Sequence, residues 1–265
     1  MRLVVVGSAD AYNAAGRGHA CYWLETAAGT VMVDFGATAL MGLGRAGLDP
    51  SRLEAVVLTH FHGDHIGGLP FLLIDLAFNH SRSRPLVIAG PADCRVRVEA
   101  VCRAAYGDVI DTRLPFPLHF IDLPSRGRAA VGSLVVETWR AEHGGEPGRA
   151  LLLRITSPGE GAVAFTGDTA MVEAIFEAAR GAVCLVAECT ALTAGTPGHC
   201  SWEEWRGRLA RVDATELLFT HLSAEVRGAR QRLLAEAIRA SGSRARIRFA
   251  EDGLVLAWDE DAGGG

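Results

Sequence analysis

The chain contains no lysine: all 26 of its basic Lys/Arg positions, among 265 residues, are arginine. A Schiff-base mechanism is excluded, because it needs a lysine amine. A GC-rich coding sequence is the simplest origin of the bias. Tyrosine is scarce, with Tyr12, Tyr22 and Tyr106 the whole set. No C-x-x-C pair occurs; Cys21, Cys94, Cys102, Cys184, Cys189 and Cys200 are scattered. They read as reduced thiols, mostly in the core, and not as a clustered zinc site. With a net charge of −5, no global basic field is present to recruit nucleic acid. The opening run Met1 to Gly7 is too short for a signal peptide or a membrane span, so cytosolic residence and no membrane partner are expected. No sequence repeat, linker or low-complexity tract breaks the chain.

What the chain does have is apolar content, at 49%, enough for a sizeable core. The length admits one large domain or two small ones. It also has the stretch Leu58-Thr59-His60-Phe61-His62-Gly63-Asp64-His65. Three of nine histidines and an aspartate fall within six residues there. The apolar run Ala55 to Leu58 before it reads as a buried strand. If the segment stays extended, His60 and His62 lie on one side. Asp64 and His65 would face the same space from beyond the turn. Imidazole and carboxylate converging in this way suit zinc, manganese or iron.

Strands are expected at Leu3–Val6, Cys21–Thr26, Thr30–Asp34, Leu53–Leu58, Leu86–Ala89, Phe116–Ile121, Leu134–Trp139, Ala150–Thr156, Ala162–Thr166, Ala182–Ala187 and Glu216–Phe219. Ile247–Ala250 and Leu254–Trp258 read as a terminal hairpin over Glu251-Asp252-Gly253. Helices are expected at Ala37–Ala46, at Gly67–Phe78 with an early break at Pro70, from Gly90-Pro91 to about Ala105, after Asp168 through Ala179, at Trp202–Leu209 behind a Ser201/Glu204 capping box, and at Glu225–Ala240. Residues 260–265 read as a frayed tail. Further polar groups stand at strand ends: His143, Asp168 in Gly167-Asp168-Thr169, Glu188, and His221. Asp168 by itself could be a plain helix cap. His80 reads as a surface residue and His119 as structural. For Arg17 and His19 in the glycine-rich loop, substrate contact and solvated surface stay open.

His60-x-His62-x-Asp64-His65 resembles the signature of the metallo-β-lactamase superfamily, and later segments extend the match down the chain. The resemblance implies one α+β domain over residues 1–265, a four-layer αββα sandwich of two mixed sheets with outer helices. It implies two divalent metal ions, zinc first by ligand type, with manganese or iron also compatible. His60, His62 and His143 would hold one, Asp64, His65 and His221 the other, and Asp168 would bridge them. Asp34, in an Asp-x-Gly, would brace the site rather than bind metal. The implied activity is metal-dependent hydrolysis by a hydroxide shared between the ions.

Glu188-Cys189-Thr190 and Gly198-His199-Cys200-Ser201 are similar to motifs of the ribonuclease Z-like phosphodiesterase branch. That similarity makes His199 a general acid oriented by Glu188, acting with Asp64 as the catalytic set. A long basic RNA-clamping arm is missing: only 25 residues separate His143 from Asp168. A small anionic phosphodiester, of the cyclic-nucleotide or sugar-phosphate type, is therefore expected over transfer-RNA processing. A lactonase, ester or thioester hydrolase on the same metals is the alternative, disfavoured by the shortage of tyrosine. A homodimer would be in keeping with the family.

Overall fold

Each central strand buries both of its faces, and that requirement generates four layers. In β1 (Arg2–Gly7) the side chains alternate between two cores. Val4 and Val6 join one cluster; Leu3 and Val5 join another. This is the period-two reading of a strand with no solvent face. The computed structural model describes residues 1–108, 114–144, 148–240, 242 and 244–258. The tail expected at 260–265 lies outside the described residues.

After β1 come β2 (Cys21–Thr26), β3 (Gly29–Val33), α1 (Ala39–Ala46), β4 (Ala55–Val57), α2 (Gly63–Ile66), α3 (Leu69–Ile74), β5 (Leu86–Gly90), α4 (Cys94–Tyr106) and β6 (Leu118–Asp122). The second half carries β7 (Gly127–Val131), β8 (Leu134–Arg140), β9 (Leu151–Ser157), β10 (Gly161–Phe165), α5 (Ala174–Ala179), β11 (Ala182–Glu188), α6 (Trp202–Arg206), β12 (Ala214–Thr220), α7 (Ala224–Ala240), β13 (Arg246–Phe249) and β14 (Val255–Ala257).

They form two seven-stranded sheets. The first runs β14-β1-β2-β3-β4-β5-β6 and the second β13-β12-β11-β10-β9-β8-β7. Both have the same internal plan. Pairing is antiparallel from β14 to β3 and parallel from β3 to β6. It is antiparallel from β7 to β10 and parallel from β10 to β13.

Between the sheets lie Leu3, Leu24 and Val57 from one side and Leu153, Phe165 and Leu218 from the other. Outside the first sheet, Leu43 of α1, Leu72 of α3 and Val98 of α4 cover Trp23 and Val56. Outside the second, Ile175 of α5, Trp205 of α6 and Leu233 of α7 cover Leu185 and Phe219. These are the four layers expected for the αββα sandwich, two mixed sheets face to face with helices outside. All six cysteines are buried, and none forms a disulfide among the described residues. Among the described residues, no helix is long and apolar enough to cross a membrane.

Several elements depart from the sequence expectation. Residues 247–258 do not form a hairpin. β13 pairs with β12 in the second sheet, and β14 pairs with β1 in the first. The turn between them crosses the sandwich: the Ala250 N–H donates to Phe219 O, and the Gly253 N–H to Val5 O. Asp252 ties the crossing down by accepting from Ser8 Oγ and the Gly18 N–H.

β7 was not expected, because Gly127-Arg128-Ala129-Ala130 has little β propensity. The ladder to β8 holds it at the sheet edge instead. Pro70 does not interrupt a helix; it sits in the first turn of α3, where its missing N–H costs nothing. α3 then runs into a π turn at Asp75–Asn79. α4 starts three residues beyond Pro91. Helix α5 begins only at Ala174, so Asp168 is not a helix cap.

Candidate metal centre

The centre forms where the parallel halves of the two sheets end. Asp34 follows β3, the segment Thr59–His65 follows β4, Asp168 follows β10, Glu188 ends β11, and His221 follows β12. All sit at carboxyl ends of strands, where backbone leaves the sheet and a crevice opens. His143 comes three residues after β8, an antiparallel strand.

His60 and His62 lie past the end of β4, His62 in extended backbone, and their rings meet edge to face with centroids 4.7 Å apart. Asp64 and His65 ride on the single turn of α2. The tertiary fold brings His60, His62 and His143 into one cluster, and Asp64, His65, Asp168 and His221 into another. Asp168 joins them. Its Oδ2 lies 3.3 Å from His221 Nε2, 3.5 Å from His65 Nε2, 3.8 Å from His143 Nε2 and 3.9 Å from His60 Nε2. Asp64 Oδ2 lies 3.2 Å from His65 Nε2 and 3.4 Å from His221 Nε2.

The tautomers follow from the outer hydrogen bonds. The Thr59 hydroxyl donates to Asp34 Oδ2, so His60 Nδ1–H donates to Thr59 Oγ1 at 3.1 Å. His65 Nδ1 donates to Asp34 Oδ2 at 2.8 Å. His143 Nδ1 donates to the Gly198 carbonyl at 2.8 Å. Thr190 donates to Glu188 Oε2, so His221 Nδ1 donates to Thr190 Oγ1 at 2.9 Å. In all four rings Nε2 is the nitrogen turned toward the centre.

The donor set fits a metal. Nitrogen ligands about 2.0–2.1 Å from a tetrahedral zinc stand about 3.3 Å from one another, close to the spacings found here. His60 Nε2 and His65 Nε2 are buried and have no hydrogen-bond partner, which is costly unless something binds them. Electrostatics agree. Burial opposes ionisation of Asp168, but His221, His65 and His60 hold its carboxyl well below the usual range. Burial lowers the His221 pKa, yet Asp168 and the hydrogen bond to Asp64 push it up to about 9. Burial, with His65 beside it, drives His60 well below its ordinary value. The crevice thus concentrates buried negative charge that favours a cation, and imidazoles ready to ligate it.

Two glycines are sterically required. At Gly167, with φ 55°, a Cβ would stand 2.7 Å from Thr59 Cβ. At Gly198, with φ 72°, it would stand 2.9 Å from His143 Nδ1. Asp34 and His221 also have positive φ, 57° and 53°. Backbone strain of this kind in non-glycine residues concentrates at functional sites.

His199 and Glu188 stand beside the clusters. His199 Nδ1 donates to Glu188 Oε1 at 3.0 Å. Its ring stacks over His221, with centroids 5.5 Å apart. Glu188 is fully buried and anchored by the Thr169 N–H and the Thr190 hydroxyl. Burial lowers the His199 pKa, but Glu188 outweighs it, and the net shift is upward.

The chain belongs to the metallo-beta-lactamase superfamily. Its family model matches residues 14–221. Membership supports a metal-dependent hydrolase, and divalent metal ions go with the fold. The chain is similar to the ribonuclease Z of Ignicoccus hospitalis, with 28% identity over 274 residues, covering 88% of this chain and 91% of that one. An uncharacterized protein of Mycobacterium tuberculosis is 29% identical over 198 residues, 72% of this chain and 69% of its own. Among solved structures, YhfI from Bacillus subtilis superposes with a TM-score of 0.75 at 23% identity, covering 96% of this chain and 98% of that one. The short form of human tRNase Z gives 0.74 at 20%, covering 97% and 99%. A diphosphatase from the PhnP family gives 0.73 at 19%, covering 97% and 98%. Superpositions at that level of identity establish the fold.

All nine site residues named from sequence converge in this metallo-beta-lactamase crevice. The other histidines do not join the clusters. His80 lies beside Asp75 at 3.2 Å and Asp49 at 3.6 Å. His119 is exposed on β6. His19 is buried next to the crevice with Nδ1 unpartnered, and Arg17 pairs with Glu251 at 2.8 Å. Sequence reasoning quoted Thr59 and Thr190 within its motifs but gave neither a role; that each links a carboxylate to an imidazole shows only in the fold.

Proposed function

We propose that this protein is a phosphodiesterase acting on a small phosphodiester, with His199 as proton donor to the leaving group. His60, His62 and His143 would hold one divalent ion, Asp64, His65 and His221 a second, and Asp168 would face both. Such ions lower the pKa of water toward neutrality and offset phosphate charge. Zinc suits the nitrogen-rich set best, and manganese or iron is compatible with it.

The observation that carries the reading is the Glu188–His199 pair. An alkoxide leaving a phosphodiester needs a proton, and His199, held by Glu188 beside both clusters, can supply it. Glu188 holds Nδ1–H, so Nε2–H is the proton His199 has to give. Burial and two anchoring hydrogen bonds keep Glu188 in register with the ring. As the bond from phosphorus to the leaving oxygen breaks, the proton moves from Nε2 to that oxygen. Asp64, beside His65 and His221, accepts a hydrogen bond from the attacking water and so orients it.

The lactonase alternative draws no support from tyrosine. The Tyr22 hydroxyl is committed to Thr220 Oγ1 at 2.6 Å inside the sandwich. RNA is a second reading, favoured by the near full-length match to a ribonuclease Z and opposed by the net charge of −5. A panel on zinc- and manganese-loaded protein tests these readings: bis-p-nitrophenyl phosphate, dithymidine monophosphate, precursor transfer RNA and a set of lactones. Turnover confined to lactones would remove the phosphodiesterase assignment, and turnover confined to the RNA would promote the second reading.

A further inference from the structure

One polar pair interrupts the apolar packing between the sheets. Tyr22 of β2 and Thr220 of β12 are both buried, and Tyr22 Oη and Thr220 Oγ1 share a hydrogen bond at 2.6 Å. The layer around them is built from side chains such as Leu24, Val33, Val186 and Leu218. The Tyr22 ring packs on Phe165 with centroids 5.4 Å apart. Burial holds the Tyr22 phenol well above its ordinary pKa, so it stays a hydroxyl. Among the described residues, this is the one hydrogen bond between side chains of strands in opposite sheets. An apolar pair of the same shape would cost little stability, so stability alone does not account for two hydroxyls here. Apolar contact is non-directional, whereas a hydrogen bond fixes distance and angle. This one therefore limits how far one sheet can slide over the other.

Each partner stands beside an anchor of the metal centre. Tyr22 is in register with Val33, the residue before Asp34. Asp34 holds His65 and, through Thr59, His60. Thr220 is in register with Glu188 and immediately precedes His221. His221 Nε2 in turn lies 3.3 Å from Asp168 Oδ2 and 3.4 Å from Asp64 Oδ2. Tyr22, Asp34, Thr220 and His221 line one small cavity beneath the centre.

We infer that Tyr22 is a positioning residue: acting through Thr220, its hydroxyl sets where His221 stands relative to Asp64 and His65. The inference rests on the proposed assignment of Asp64, His65 and His221 to one ion. Two of those residues follow a strand of the first sheet and one follows a strand of the second. Their spacing, and so the grip on the ion, depends on how the sheets are pinned. The ion at His60, His62 and His143 does not include His221 and is insensitive to the pin.

Cobalt(II) titration of the full chain, followed by visible absorption and chelator competition, tests the inference alongside urea unfolding. His221→Ala identifies the step that belongs to His221 by abolishing it and sparing the other. Tyr22→Phe, Thr220→Val and the double variant should each weaken that same step about tenfold, the low end for groups that orient metal ligands. The double variant should lose no more than either single one, because the same bond is missing from all three. It should also unfold at nearly the wild-type urea concentration, since no hydroxyl is left unpartnered. Thr220→Ser keeps the hydroxyl and should restore wild-type affinity. If a single variant fails to fold, the double variant and Thr220→Ser still decide. A double variant with wild-type affinity in both steps, losses that add, or an equal fall in both steps would overturn the inference. If His221→Ala keeps both steps, the ligand assignment fails and the inference falls with it. If His221→Ala loses one step that the double variant binds like the wild type, the inference alone fails.

Discussion

The two sheets contribute to the crevice in opposite styles. The first supplies His60, His62, Asp64 and His65 from one continuous loop-and-turn segment after β4. The second supplies His143, Asp168, Glu188, His199 and His221 from five separate chain segments, spread over 79 positions from 143 to 221. A local cluster is set by short-range backbone geometry and tolerates small shifts of the sheet. A dispersed cluster depends on every strand of the second sheet being in register. The first half should therefore survive perturbation as a weak site, while the second half determines whether that site is complete.

The largest break in this comparison is expected from Asp168→Ala, which removes the one oxygen common to both clusters. Hydrolysis should fall by at least about a thousandfold, and bound metal should fall below the wild-type content by elemental analysis. The equivalent cut in the local cluster, His62→Ala, should cost less metal, because His62 is exposed and the remaining donors stay in place.

Next in size is His199→Ala. A general acid contributes about 10²–10⁴-fold, but only where the leaving group needs a proton. The rate on dithymidine monophosphate should fall by about that factor, and the rate on a p-nitrophenyl ester of thymidine monophosphate should fall far less, since nitrophenolate leaves unprotonated. Equal losses on both substrates would count against proton donation and leave His199 a structural role.

The outer hydrogen bonds are a subtler contrast. Asp34→Asn weakens the support for His65 and, through Thr59, for His60, both in the local cluster. Thr190→Val weakens the support for His221 and Glu188, both in the dispersed cluster. Each should lower metal affinity by about 10–100-fold, read by competition with a chelator. Only Thr190→Val should also change the response to leaving-group pKa.

The smallest effect lies outside the crevice. Glu25 on β2 is paired with Arg2 and lies 2.8 Å from Arg52. Burial raises the Glu25 pKa, but the Arg2 hydrogen bond and the Arg2 and Arg52 charges outweigh it and leave the carboxyl below its ordinary 4.5. A depressed folded pKa means the contribution is complete above about pH 4.5 and is lost as pH falls through the lower folded value. Glu25→Gln should cost up to about 1 kcal/mol at pH 7 and nothing in strong acid, measured by urea unfolding across pH. It should leave metal content unchanged, which separates sheet stability from site assembly.

Much of the fold could be read from sequence because alternation and strand-end polar residues are local signals. The apolar runs at β1, β9, β10, β11 and β12 marked their strands, and Ser201/Glu204 marked the start of α6. What escaped reading were pairings set by distant partners. β7 is a strand only because β8 lies beside it. Residues 247–258 looked like a hairpin because two short apolar runs flank a turn, yet that turn spans the two sheets. Asp168 read as a site residue with a helix cap as the plain alternative, and the start of α5 six residues later removes the cap.

The sequence alone determined the chemistry on offer: an arginine-only basic set, a histidine-aspartate cluster within six residues, and further imidazoles and carboxylates at strand ends. Those are properties of side-chain type and local spacing. Only the tertiary structure decided that Asp168 Oδ2 faces His60, His65, His143 and His221 at once, which ring nitrogens point inward, and that Tyr22 and Thr220 meet between the sheets. Such placements depend on the register of strands far apart in the chain, and no local pattern records that register.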